Sequence, residues 1–422
     1  ASDVLASAIS AYTYGKHKNL DIKNGLIMLC SVLIFTLVGS YIASLVPNST
    51  MGGFSVFMTT LLGVKFIVRP VMTTKAALSA KSALPILEGI YICARENDMT
   101  LVCTDMSLRI EATIPAEVRE EGAAVVPGRI FSEMVRKLPG ETVEIDGDES
   151  SIKIKSGRSR STLQTNRASD YPPMPEIGQR ESITIKKSLF RSMVRQTTFA
   201  TAPDDSNPIL TGVLMSIDGD RVQLVALDGF RLAIRRESLR HTCGRLDAVI
   251  PVKSLNEIGR IMDDSDDNVE IVLTKSHVMI DLGHTRVLSR LLNVQFINYS
   301  AILTDTYNTR VRLNRRDMLD TIERVSLMAR EGKTNIVVLE FADDVMTISA
   351  NSEIGRTNEE QSIEMTGEAQ KLAFNAKYLI DALKSLEDEE IFIDLIASDK
   401  HCVIRPIDGE AFYYLILPVR MR

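Results

Sequence analysis

The sequence predicts an α+β fold in which one structural unit occurs three times in tandem. An acidic or amide residue recurs every 123 residues, each time after a short apolar run: Asp105, Asp228 and Asn351. A second marker recurs every 124 residues, each time before an amphipathic helical pattern: Pro127, Pro251 and Asn375. Such spacing indicates tandem copies of one unit. Helices are segregated from groups of strands, which favours antiparallel sheets over a parallel βαβ sheet.

Length and charge agree with this organisation. A chain of 422 residues is longer than one hydrophobic core usually serves, and about three domains of roughly 100–150 residues are expected. The formal net charge of −6 excludes a uniformly basic nucleic-acid-binding protein. A basic face on an acidic body is compatible with it.

The cysteines and histidines predict no metal site, and nothing in the sequence predicts a cofactor. They are scattered without the spacing of zinc ligands: Cys30, Cys93, Cys103, Cys243, Cys402, His17, His241, His277, His284 and His401. Cys93 and Cys103 alternate with apolar residues, so we expect them in the core. The sequence also lacks a phosphate-binding glycine loop and a nucleophile elbow, which argues against an enzyme.

Residues 1–64 differ from the rest of the chain. No charged residue lies between Lys23 and Lys65, and residues 25–46 form an uncharged, mostly apolar stretch long enough to cross a bilayer of about 30 Å. A second apolar stretch covers 51–68, so the pattern predicts an apolar helical hairpin. Basic residues flank both ends, which would place the ends and everything downstream in the cytoplasm.

The hairpin resembles a fragment of the sulfite-exporter type of membrane permease, around residues 24–27 and 37–40. Two spans cannot line a transport path, so no transport function is assigned. Three interpretations stay open: a membrane tether, a remnant of gene rearrangement, and an artefact of sequence assembly.

The second and third units show the same order of elements. In the second, periodicity predicts two helices, 186–199 and 252–262, among strands at 182–185, 213–217, 222–226, 231–235, 269–273 and 277–281, with a turn at 218–220. In the third, it predicts helices 315–328 and 376–386 among strands at 311–313, 337–341, 345–349, 391–394, 402–406 and 413–417. Asn314 is a plausible N-cap for the helix that follows it.

The first unit is predicted to be incomplete. Its strands from Ile86 onward and its helix 129–138 follow the common pattern. The segment that should form its first helix, 70–77, has weak periodicity. If residues 66–68 are the first strand, that helix is short or malformed.

Three short sequence motifs within residues 65–422 resemble those of a known family. They are SALPILEG at 82–89 followed by Thr104 and Asp105, LDGFRL at 227–232, and LPVRM at 417–421. Together with the threefold repeat, they closely resemble the bacterial β sliding clamps, the β subunits of DNA polymerase III. The resemblance implies clamp domains at 65–180, 181–307 and 308–422, with helices lining a central hole and sheets forming the outer shell.

The resemblance further implies a non-enzymatic processivity factor in the cytoplasm. Two copies would close head to tail around duplex DNA and hold the replicative polymerase there. The predicted helices and one loop supply basic residues for DNA phosphates: Lys81, Arg129, Arg136, Lys186, Lys187, Arg191, Arg195, Lys253, Arg260, Arg315, Arg316 and Arg324. Acidic runs fall in turns instead, at 263–267 and 387–390.

The family also has a hydrophobic pocket between its second and third domains that binds short motifs of polymerases, clamp loaders and repair proteins. The matching residues are Leu210, Gly229, Phe230, Arg231, Leu232, Pro251, Leu415, Leu417, Pro418, Val419 and Arg420. Phe230 stands where the family often has a histidine. The alternative is a membrane-tethered or non-functional fusion that cannot close a ring.

Overall fold

A computed structural model describes residues 67–78, 84–139, 142–148, 150–175, 181–203, 207–304, 306–332 and 335–421. The predicted apolar hairpin and Lys81 lie outside the described residues. Within the described part of the chain, no helix is long and apolar enough to cross a membrane.

The chain divides into two compact units. The first comprises Ala1–Phe66, Leu138–Glu144 and Ile154–Arg160, and its described part consists of short segments from the last two ranges. The second comprises Ile67–Lys137, Ile145–Lys153 and Ser161–Arg422 and contains all of the helices described below.

The described residues form helices α1 (67–74), α2 (Gly128–Arg136), α3 (Lys187–Thr198), α4 (Val252–Ile261), α5 (Arg315–Glu331) and α6 (Ala376–Ser385). The strands are β1 (Gly89–Arg95), β2 (Asp98–Thr104), β3 (Leu108–Pro115), β4 (Gly122–Pro127), β5 (Glu144–Gly147), β6 (Ser151–Ser156), β7 (Ser159–Gln164), β8 (Asn166–Arg167), β9 (Glu181–Lys186), β10 (Gly212–Leu227), β11 (Arg231–Pro251), β12 (Asn268–Leu273), β13 (His277–Asp281), β14 (Thr285–Arg290), β15 (Thr309–Asn314), β16 (Ile336–Ala342), β17 (Val345–Ser352), β18 (Gly355–Ser362), β19 (Glu364–Thr366), β20 (Gln370–Asn375), β21 (Glu390–Leu395), β22 (Cys402–Pro406) and β23 (Phe412–Ile416).

The strands form antiparallel sheets, two of which continue from one repeat into the next. A nine-stranded sheet has the order β8-β4-β1-β2-β3-β14-β13-β12-β9, and a seven-stranded sheet has the order β10-β11-β23-β22-β21-β15-β19. The pairs β3–β14 and β11–β23 make the two junctions. A four-stranded sheet (β18-β17-β16-β20) and a three-stranded sheet (β5-β6-β7) complete the described strands. The predicted α+β class with antiparallel sheets is confirmed.

The repeated sequence markers have definite structural roles. Pro127, Pro251 and Asn375 are the residues at which a strand gives way to α2, α4 and α6. Pro127 and Pro251 are the N-cap residues, with φ −58° and −56°, values close to the one that the proline ring imposes. Asn375 acts differently, since its side-chain oxygen accepts a hydrogen bond from the backbone N–H of Lys377 at 3.0 Å.

Asp105 and Asp228 build the same tight turn. Asp105 Oδ1 accepts hydrogen bonds from the N–H groups two and three residues later, at 2.8 and 2.7 Å. Asp228 Oδ1 does the same for Phe230 and Arg231, at 2.9 and 3.0 Å. A short acidic side chain is favoured there because it satisfies turn amides that have no strand partner. Asn351 instead pairs with Arg356 between β17 and β18.

The prediction of a strand at 66–68 was wrong for the described residues 67 and 68, and the first helix, predicted to be short or malformed, is regular over 67–74. Residues 67–74 are helical, and Ile67, Val71, Thr74 and Ala77 are buried at helical spacing. Thr74 Oγ1 donates a hydrogen bond to the carbonyl of Pro70 at 3.1 Å. The periodicity looked weak because threonine and alanine occupy half of the buried positions.

Two further strand predictions need correction. The predicted strands 213–217 and 222–226 lie in one element, β10, and the predicted turn is an irregularity where the pairing register with β11 shifts around Gly219. Gly219 has φ +63°, a conformation that glycine adopts without strain. Strand β18 was missed because its sequence, GRTNEEQS, has no apolar alternation.

Candidate DNA-binding and peptide-docking surfaces

The first turn of α3 is fixed by an acidic loop, residues 263–267, that follows α4. The residue before α3, Lys186, provides no side-chain cap. Instead, the backbone N–H of Lys187 donates to the carbonyl of Asp267 at 2.8 Å, and that of Ser188 donates to the carbonyl of Ser265 at 3.2 Å. The loop therefore satisfies amide groups that a helix leaves unpaired at its N-terminus.

Lys187 lies beneath this loop and is only 8% exposed. Its Nζ is 3.1 Å from Asp263 Oδ1, 3.7 Å from Asp267 Oδ2 and 3.1 Å from Ser265 Oγ. A hydrogen bond from Ser265 and the nearby Lys187 ammonium lower the pKa of Asp263. The sequence placed Lys187 at the DNA. The structure gives it a buried, structural role instead, because only 8% of Lys187 is exposed.

The other cations of this region are more exposed, and each is paired. Lys186 Nζ lies 3.4 Å from Asp266 Oδ2. Arg191 forms an ion pair with Asp264 and also donates from Nε to the carbonyl of Gly259 at 3.2 Å. Arg195 forms an ion pair with Glu387, in the second acidic run, just after α6. The basic side chains and the acidic turns predicted from sequence are thus direct neighbours.

Helix α5 repeats part of this arrangement. The backbone N–H of Arg315 donates to the carbonyl of Glu389 at 2.9 Å. Its guanidinium donates to the carbonyls of Asp388 and Leu383 at 2.7 and 2.9 Å. Arg315 therefore caps the end of α6 and is not directed at a ligand, contrary to the sequence prediction.

The remaining predicted DNA contacts lie on three helices. Arg129 on α2, Lys253 on α4 and Arg316 on α5 are exposed. Three arginines have acidic neighbours: Arg136 with Glu133 at 2.5 Å, Arg260 with Glu257 at 2.7 Å, and Arg324 with Glu359 at 2.6 Å.

The structure brings most of the predicted peptide-binding residues together at the junction of β11 and β23. Leu232 faces Leu415 in the strand register, and both belong to an apolar cluster against which Leu210 packs. The sequence analysis missed a second group of residues on this cluster: Leu292, Val294, Phe296, Tyr299 and Leu303. They follow β14 in an irregular segment, where no periodic pattern marks them.

The C-terminal segment extends this surface. The backbone N–H of Leu417 donates to the carbonyl of Phe230 at 2.8 Å, and that of Val419 donates to the carbonyl of Ala373 at 2.7 Å. The side chains of Phe230, Leu417 and Val419 are 60%, 41% and 37% exposed. Large apolar side chains that a folded backbone leaves exposed to solvent are typical of an interaction surface. Gly229, Pro418 and Arg420 border it in the sequence, and Gly229 and Arg420 are exposed.

Arg231 does not line this surface as predicted, because its side chain is buried. Its Nε donates to Asp228 Oδ2 at 2.9 Å, Nη1 to Asp381 Oδ2 at 2.8 Å, and Nη2 to the carbonyl of Phe199 at 2.5 Å. The guanidinium also lies 4.3 Å from the ring centroid of Tyr378. Arg231 therefore ties the Asp228 turn to the end of α3 and to α6.

Pro251, also predicted for this surface, lies at a junction between a strand and a helix. It pairs with Gly212 at the end of β11 and is the N-cap residue of α4.

In the described ranges, no group of three or more His, Cys, Asp or Glu side chains is arranged to hold a metal ion.

Three family models match the chain in order. The N-terminal, central and C-terminal domains of the DNA polymerase III beta subunit match residues 62–175, 184–298 and 301–420. The chain belongs to the DNA polymerase III beta subunit family. A beta sliding clamp of Staphylococcus epidermidis is 32% identical over 366 residues, which cover 84% of this chain and 97% of that protein.

Solved structures of beta subunits have the same fold. The DNA polymerase sliding clamp from Bacillus subtilis is 33% identical with a TM-score of 0.82, over 85% of this chain and 98% of that one. The beta subunit from Streptococcus pyogenes is 28% identical with a TM-score of 0.81, over 85% and 99%. The predicted family is confirmed. The chain is a DNA sliding clamp, an accessory subunit without an enzymatic activity of its own.

Proposed function

We propose that this sliding clamp closes head to tail with a second copy around duplex DNA and carries the replicative polymerase along it. The proposal rests on the match of all three clamp-domain models to this chain in order. The helices of the same chain bear exposed cations. We place this activity in the cytoplasm. Three consecutive clamp domains of roughly equal size suit a ring built from two protomers.

The DNA-facing residues that we propose are the exposed and half-exposed cations of α2 to α5 and of the residue before α3. They are Arg129, Arg136, Lys186, Arg191, Arg195, Lys253, Arg260, Arg316 and Arg324, with Lys81 retained from the sequence. Lysine and arginine attract phosphates without reading bases. A surface of this kind holds DNA while leaving the protein able to slide.

The docking surface that we propose centres on Phe230, Leu417 and Val419, over the apolar cluster of Leu210, Leu232 and Leu415. Apolar side chains of a short peptide would cover these exposed side chains. The clamp loader, the polymerase and repair proteins would compete for this one surface.

The closure of the ring also has a candidate surface. Leu327 on α5 and Ile354 after β17 are 61% and 74% exposed. Covering both would remove apolar area from water, which favours association. We propose that they contact the first domain of the second copy.

The test is topological. The labelled protein is loaded by clamp loader and ATP onto a nicked plasmid, isolated on it, and then the plasmid is cut once with a restriction enzyme. Encirclement predicts that the protein stays on the circle and leaves the linear DNA from its ends. Equal retention on circular and linear DNA would contradict the proposal. A linear DNA whose ends are blocked by bound protein should restore retention.

A further inference from the structure

The cations beside and along α3 are held by carboxylates that the fold itself places there. Lys186 meets Asp266, Arg191 meets Asp264, and Arg195 meets Glu387. The three carboxylate side chains are 79%, 81% and 70% exposed, so they are not needed to satisfy a buried charge. Exposed ion pairs of this kind contribute little to stability.

The loops that carry these carboxylates are anchored by backbone hydrogen bonds, independently of the ion pairs. The 263–267 loop accepts from the first amides of α3, and the loop after α6 accepts from the N–H of Arg315 at 2.9 Å. These bonds also occupy amides at the N-termini of α3 and α5, which would otherwise attract phosphate. An acidic loop that accepts hydrogen bonds from the N-terminus of a helix is thus present in both the second and the third repeat.

We propose that Asp264, Asp266 and Glu387 are built-in counter-ions that compete with DNA phosphates for Arg191, Lys186 and Arg195. This inference rests on the proposed DNA-facing role of α3. When a DNA phosphate binds one of these side chains, the carboxylate that it displaces must bind a cation from solution. The binding free energy gained by releasing counter-ions from the DNA is then largely cancelled at that contact. The clamp is thereby kept weakly attached and mobile on the duplex.

The proposal makes a numerical prediction about salt. Each phosphate neutralised by a free cation steepens the dependence of log K on log salt concentration by about 0.9. The variant D264N/D266N/E387Q frees three cations, so its slope should be steeper than that of the unmodified protein by about 2 to 3. Its affinity at low salt should be higher by about tenfold or more, and it should diffuse more slowly along loaded DNA.

The experiment measures binding of a short DNA duplex by fluorescence anisotropy across a KCl series, and single-molecule diffusion on loaded DNA. The control variant, E117Q/D247N/E340Q, removes the same charge from a turn and two strands. An unchanged slope in the test variant, or an equal change in the control, would overturn the inference. If the unmodified protein neither loads nor binds DNA, the proposed function fails instead.

A double-mutant cycle tests the competition with substitutions at only two exposed positions. R191Q should weaken DNA binding only slightly in the unmodified protein, because Asp264 already holds Arg191. In the D264N background, the same substitution should cost about tenfold in affinity and reduce the slope by about 0.9. Equal effects in both backgrounds would contradict competition between Asp264 and phosphate.

Discussion

At the scale of single residues, Arg231 shows how a family motif can conceal a structural role. The string LDGFRL identifies the turn, but it does not reveal that Asp381, 150 residues further on, completes the ion cluster. Arg231 and Asp228 side chains are each 6% exposed. We predict that R231L destabilises the protein by about 3–5 kcal/mol, because it leaves the buried Asp228 carboxylate and the partly buried Asp381 carboxylate without their cation. Urea unfolding followed by circular dichroism measures this free energy.

The control is R236L, since Arg236 is a neighbouring arginine whose guanidinium donates to the backbone carbonyl of Glu410 at 3.2 Å, in an exposed hydrogen bond. It should change the unfolding free energy by less than about 1 kcal/mol. Similar losses in the two variants would show that the buried cluster has no special role. The double variant R231L/D381L should recover part of the loss, because Asp381 is then no longer left without its partner, whereas Asp228 still is.

A second prediction at this scale concerns pH. The pKa of Asp263 is lowered in the folded protein by Ser265 and Lys187, so the carboxylate form is favoured by folding. Its contribution is present above the unfolded pKa and is lost as pH falls through the folded pKa. D263N should therefore cost up to about 1 kcal/mol near neutral pH, and the difference from the unmodified protein should vanish in acid. A difference that stays constant with pH would contradict this assignment.

At the scale of elements, amphipathic periodicity predicted the helices well and polar strands poorly. The helices α3, α4, α5 and α6 begin within one residue of their predicted positions, because each buries a continuous apolar stripe. The edge strand β18 has polar residues on both faces, so its place in the sheet depends on pairing with β17. Helix α1 was obscured by Thr74, whose hydroxyl is satisfied within the helix.

The stripe on α1 leads to a prediction. Val71 is fully buried, whereas its neighbour Met72 is 37% exposed. V71A should cost about 1–3 kcal/mol of unfolding free energy through lost burial and the cavity left behind. M72A should cost less than about 0.5 kcal/mol. The two substitutions compared by thermal unfolding decide whether α1 packs as an amphipathic helix. Equal, small losses of unfolding free energy would instead support the sequence prediction of a short or malformed helix.

At the scale of the whole molecule, the sequence repeat predicted three similar units, yet it did not predict how sheets join them. The pairings β3–β14 and β11–β23 join residues more than 170 positions apart in the sequence, and no local pattern specifies such contacts. The peptide-docking surface depends on the second pairing. Leu210, Leu232 and Leu415 of its apolar cluster could be predicted from the family resemblance. The five residues after β14 required the tertiary structure.

Closure of the ring is the last property that depends on the whole molecule. Replacing the exposed Leu327 by aspartate places a charge on the surface that we assign to the second copy, and a desolvated, unpaired carboxylate opposes association. We expect L327D to sediment as a monomer and to fail to load on a nicked plasmid. It should keep its affinity for a clamp-binding peptide, because Phe230 and Leu417 are untouched.

The matched control for L327D is M106D, which adds the same charge at a side chain of similar exposure, 57% against 61%. M106D should still sediment as a dimer and load on circular DNA. If both variants become monomeric, added charge alone explains the effect. If L327D stays dimeric, the surface on α5 is not the one that closes the ring. Measuring both with and without residues 1–66 separates an effect of that segment from an effect of the interface.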